Sequence, residues 1–316
     1  MKKLAHLFLA VLSAAVLLGL AVPVASYAQV FNTPGTFPVG ANPTGVAFNG
    51  IDGTIWVANF TSNSVTKLQA TTGAFLGTFY VGLNPIGVTV DLFNTNDIWV
   101  TNSGSSTVSR LRSSDGALVA TYYVGASPRS LVSDGTSVWV ANSGSNTVTR
   151  INISGGYIVG TYPVGAGPYG ITFDGTNIWV ANRNSNNVMK LSDSTGAILG
   201  TYAVASQPQA LVSDGANIWV ASYNSNTVTK LQASTGAVLY TRSGLPRGPL
   251  AIVFDGVHIW VASYADSVIT ELDAATGAFE GYFVKGGNPY GLAISGCCVG
   301  PNVWVTSFSG NSVTDF

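Results

Sequence analysis

Few side chains in this sequence have the chemistry to act on a substrate. Beyond the first residues there is one histidine, His258, in the phrase DGVHIW. An imidazole can serve as a general base near neutral pH. Its slot, at the entrance to a strand, holds Asn or Ser in neighbouring repeats, so it reads as a solvated turn histidine, and no catalytic residue is expected beyond this one candidate. Hard-metal sites need several oxygen ligands converging on one ion. With only Glu271 and Glu280 as glutamates, and many aspartates in turn slots, no metal site is expected. The two cysteines, Cys297 and Cys298, are adjacent in SGCCVGPN. In an oxidising compartment they are candidates for a vicinal disulfide, with free thiols or a bridge to another chain as the alternatives.

A second kind of chemistry, recognition, has more material. Seven positions just after a repeated proline are Thr44, Ile86, Arg129, Tyr169, Gln209, Leu250 and Tyr290. Seven just after a repeated tryptophan strand are Phe60, Ser103, Ser143, Arg183, Tyr223, Tyr264 and Phe308. These slots vary while the sequence around them repeats, and aromatics and arginines fill more than half of them. Such residues offer broad flat faces with hydrogen-bonding groups, and they favour contact surfaces. Phe60, Arg129, Tyr169, Arg183, Gln209, Tyr223, Tyr264, Tyr290 and Phe308 are therefore the candidate binding residues.

The elements that must position them follow from the repeat. The tryptophans Trp56, Trp99, Trp139, Trp179, Trp219, Trp260 and Trp304 are spaced by 43, 40, 40, 40, 41 and 44 residues. A proline precedes each one, and a glycine lies 17 residues after each of the first six. A period near forty marks a repeat architecture. Each unit reads as four short strands, A to D: a run such as YGITF after the proline, the tryptophan strand IWVAN, an NTVTRI-like run, and a run such as AILGTYAV. Short strands and tight turns of that kind need about forty residues.

The two ends of the sequence choose between an open stack and a ring. The last repeat stops at Phe316, before its strand D, whereas GTFPVGANP (35–43) stands as an orphan strand D before the first. Joining them removes the exposed edges. The expected fold is all-β: a seven-bladed propeller over residues 29–316, its last blade closed by the N-terminal strand. One tryptophan per blade then fills each interface. Asp134, Asp174, Asp214 and Asp255 share one turn slot and read as structural.

WVTN (99–102), WVANSGSNTVTRI and YYVGASP resemble the YVTN-type repeats of exported bacterial and archaeal propellers, relatives of the NHL-repeat propellers and of the virginiamycin B lyase-like propellers. The resemblance covers residues 30–316 and rests on scaffold positions, so it speaks to fold more than to activity. Its lyase branch implies ring opening of a cyclic ester by elimination, with a histidine base and a carboxylate-held divalent metal. Outside that alternative no cofactor is expected.

MKK, an apolar run over 7–20, Pro23 and the small-residue stretch ASYAQ have the layout of a secretory signal peptide, residues 1–28. An exported protein, periplasmic or extracellular, without a membrane span after cleavage and monomeric, is the expectation. The chain carries 13 basic and 14 acidic residues with no run of like charge. A polyanion-binding surface needs clustered cations, so nucleic acid is not an expected partner. A protein or glycan ligand at the variable loop face is.

Overall fold

Blade four shows how the repeat folds. Strand A is Pro168–Phe173, B is Asn177–Asn182, C is Asn187–Ser192 and D is Ile198–Ala203, each antiparallel to the next. Strand B is buried along nearly its whole length, whereas strand D alternates between exposed and half-buried residues. That gradient explains the sequence: the second strand carries apolar residues on both faces because a neighbouring blade covers each of them.

The structure, a computed structural model, describes residues 35–91, 95–284, 286–296 and 302–316. The expected leader, 1–28, and the pair Cys297 and Cys298 lie outside the described residues. Among those described, the chain forms seven four-stranded sheets. Six are consecutive in sequence; the seventh joins Thr36–Pro38 to Ser312–Asp315, with Phe37 opposite Val313. The ring closes as the orphan strand implied.

The core lies between blades. Trp179, Ala181 and Val188 of blade four pack with Leu211, Ile218, Val220 and Leu231 of blade five, and the pattern recurs around the ring. Each tryptophan also meets an aromatic ring on its own strand D: Tyr202 lies 5.5 Å from Trp179, centroid to centroid. In blade seven that partner is Phe37, 5.7 Å from Trp304, so the N-terminal strand replaces both backbone pairing and side-chain packing. The glycine 17 residues after the tryptophan has two reasons to be glycine. Gly236 has φ +73°, and a Cβ there would collide with the Tyr202 ring of the preceding blade.

The four turn aspartates tie the turn to the core. Asp174 accepts from the main-chain N–H groups of Thr176 and Asn177, and its other oxygen accepts Trp179 Nε1–H at 2.6 Å. Asp134, Asp214 and Asp255 do the same for Trp139, Trp219 and Trp260. The buried indole donor is thereby satisfied by a group the turn already needs.

Strand C adds a latch. Opposite the tryptophan stand Lys67, Arg110, Arg150, Lys190 and Lys230 in blades one to five. Each cation sits over its tryptophan ring, Lys230 Nζ at 4.7 Å, and donates to a main-chain carbonyl of the next blade. Blades six and seven carry Glu271 and Asp315 in that position. Asp315 instead accepts from Gly35 N at 2.6 Å across the closure.

Candidate functional site at the channel mouth

The loops between strands D and A, and between B and C, are held to each other within every blade. Tyr223 N donates to Gln207 O at 2.9 Å, Arg183 N to Gly167 O at 3.0 Å and Tyr264 N to Gly248 O at 2.9 Å. Strand A itself is fixed to its neighbour: Thr101 Oγ1 accepts from Gly87 N and donates to Arg129 O, both at 2.8 Å. The variable side chains thus stand on backbone that two blades hold in place, which is what a preorganised surface needs.

Of the nine candidate binding residues, seven meet. Arg129, Tyr169, Arg183, Gln209, Tyr223, Tyr264 and Tyr290, with Leu250, line one recess of about 240 Å³ at the channel mouth. A narrower space of about 190 Å³ continues below it between the A strands. Phe308 stands behind this wall rather than in it: its ring stacks on Tyr290 at 5.7 Å and meets Tyr264 edge-on at 6.1 Å. Phe60 is not part of the lining. The remaining slot residues of blades one to three, Thr44, Ile86, Ser103 and Ser143, are small or aliphatic.

Within the recess, Tyr169 and Tyr290 join hydroxyl to hydroxyl at 3.0 Å. Burial, with the Tyr169 phenol against it, pushes Tyr290 well above the usual tyrosine range; burial beside Tyr223 also raises Tyr264. Tyr290 and Tyr264 therefore keep their protons and remain donors at neutral pH. Arg129 lies over the Tyr169 ring at 5.3 Å, and Arg183 donates to Gln207 Oε1 at 3.2 Å. The lining contains no carboxylate.

His258 is elsewhere, and its setting corrects the sequence reading. It begins strand B of blade six, His258–Ser263, whereas Tyr264 follows the strand's far end, roughly 20 Å away at the rise of a β-strand. It is not a freely solvated turn residue. Its Nδ1 is 3.1 Å from Asp255 Oδ2, its Nε2 is 3.2 Å from Glu280 Oε2, and Glu271 Oε1 is 3.7 Å from Nδ1. Burial, which favours the neutral ring, is outweighed by the bond and charge of Asp255 and the charges of Glu271 and Glu280, so its pKa is raised. Burial raises Glu271 as well.

His258, Glu271 and Glu280 each offer a ligand atom within 4.8 Å of the others. An N and two carboxylates suit a divalent transition metal, and Asp255 is placed to orient the imidazole from behind, as outer-shell carboxylates do. Sequence reasoning discounted the two glutamates as too few. The missed signal was the register that sets Glu271 beside Trp260, the slot that five other blades fill with a cation.

No protein-family pattern and no curated protein matches the chain. Among solved structures it is similar to a chain of the hydrazine synthase of Kuenenia stuttgartiensis, with TM-score 0.75 and 18% identity over 91% of this chain and 98% of that one. At that identity the likeness carries the seven-bladed propeller and nothing of the chemistry.

Proposed function

We propose that this propeller is an exported binding protein that takes its ligand in the recess at the channel mouth. The observation that carries the reading is the convergence of seven varied slot residues, aromatic, basic or amide, on one concavity while the repeated positions go to the scaffold. Concave sites with apolar walls and a few convergent polar groups are the usual form of a ligand site. Export rests on the leader-like pattern of residues 1–28 and on the resemblance to YVTN-type repeats.

Alanine at Tyr223 and Tyr264 tests this reading. Both are half-buried lining residues whose loss leaves the blade cores whole. Binding of a ligand found by glycan array or co-purification should be lost while the melting temperature holds. Undiminished binding by the double variant counts against the recess.

A metal-dependent lyase is the second reading, favoured by the grouping of His258 with Glu271 and Glu280. Those residues would hold the metal, which would supply Lewis-acid polarisation of an ester carbonyl. The difficulty is place: among the described residues the recess and the cluster stand at opposite ends of strand B. Turnover of a cyclic ester that needs added metal and vanishes in His258→Ala would support this reading, and retained turnover would remove it.

A further inference from the structure

Ten lysines and arginines lie among the described residues. Eight of them direct a side-chain nitrogen at a carboxylate or a main-chain carbonyl. The other two are Arg129 and Arg183, and both line the mouth recess. Arg129 rests on the Tyr169 ring, and Arg183 has one amide oxygen, that of Gln207. The Nε of each is buried and meets no acceptor among the described residues. A guanidinium presents five donors in a planar fork suited to carboxylate, phosphate or sulfate oxygens, and burying such donors unpaired is costly. At the other eight described cations the charge has a carboxylate or main-chain carbonyl partner. Here two uncompensated positive charges share one concavity with four phenols and no acid.

We infer that, if the recess is the binding site, its ligand is an oxyanion carried on a ring: the negative group is taken by Arg129 and Arg183 and the ring face lies on the tyrosines. Aromatic rings, and the apolar C–H face of a sugar ring, can lie on tyrosine, and the phenol groups and Gln209 can bond ring hydroxyls. Shielding from bulk water inside a concavity strengthens a charge contact over its value in open water.

The test is calorimetric titration of the full protein with a galacturonic acid trisaccharide, the neutral galactose trisaccharide and 4-hydroxybenzoate. At low salt an acid should bind about tenfold or more tighter than the neutral sugar, as expected for one charge-assisted pair, and the advantage should shrink at high salt. Which acid binds identifies the ring as sugar or aromatic. Arg129→Gln with Arg183→Gln should erase the preference for charge. Arg112→Gln, which removes the same charge from an exposed pair with Asp115, should leave it unchanged. No advantage of either acid over the neutral sugar, an unchanged preference in the double glutamine variant, or no binding of either acid overturns the inference. The recess itself is judged separately, by the alanine variants at Tyr223 and Tyr264.

Discussion

The hydroxyls of Tyr169 and Tyr290 meet at 3.0 Å although the residues belong to blades four and seven, three blades apart around the ring. The contact spans the channel. It links two blades that share no core cluster. Phenylalanine at 290 keeps the ring on Phe308 and removes the bond. Chemical denaturation should show a loss of about 1 kcal/mol, the usual net value of a neutral hydrogen bond; an unchanged midpoint would mean the bridge does not form.

His258 sets a pH dependence with a definite sign. A folded pKa raised above the unfolded value of about 6.5 means that the protonated ring stabilises the fold. That contribution is fully present below the unfolded value and is lost as pH rises through the folded one. Asp255 does not blur the window, because donors from His258 and Trp260 outweigh burial and hold it below the usual carboxylate range. Urea denaturation at about pH 5.5 and about pH 8.5 should show the parent losing more stability over the interval than His258→Gln. Parallel losses would contradict the assignment.

The strand C latch is testable at Lys230. Methionine there retains the apolar stem, removes the ammonium from Trp219 and leaves the Ala274 carbonyl without its donor. The expected cost is about 1–3 kcal/mol, read from denaturant midpoints. A variant as stable as the parent would show that the cation contributes nothing to the seam.

Ring closure is testable at Phe37. If the N-terminal strand is a true fourth strand, Phe37→Ala and Phe79→Ala remove the same contact from blades seven and one. Both should cost about 2–4 kcal/mol, somewhat under a fully buried phenylalanine because both rings are partly exposed. A negligible cost at 37 beside a large one at 79 would place the N-terminal strand outside the blade.

Much of this was written in the sequence, for a physical reason. A ring of equal blades imposes the same steric demands seven times, so Trp179 and Trp219, or Asp174 and Asp214, reveal their roles by recurring. The same logic exposed Arg129 and Tyr264 as positions released from those demands. What repetition cannot encode is convergence between blades. Nothing in the spacing pairs Tyr169 with Tyr290, which are 121 residues apart. Nor, within blade six, does the repeat foretell that Glu280 of strand D reaches His258 of strand B. Phe60 and Phe308 mark the converse limit, since sharing a slot with Tyr223 does not put a side chain in the recess.

The central claim is that the mouth end of the propeller, not the turn end, receives the ligand. Hydroxyl-radical footprinting with and without a bound ligand measures this directly, since Tyr223 and Tyr264 report one end of the strands and His258 the other. Protection of the two tyrosines with His258 unchanged is the predicted result. Protection of His258 with Tyr223 and Tyr264 still reactive would contradict it.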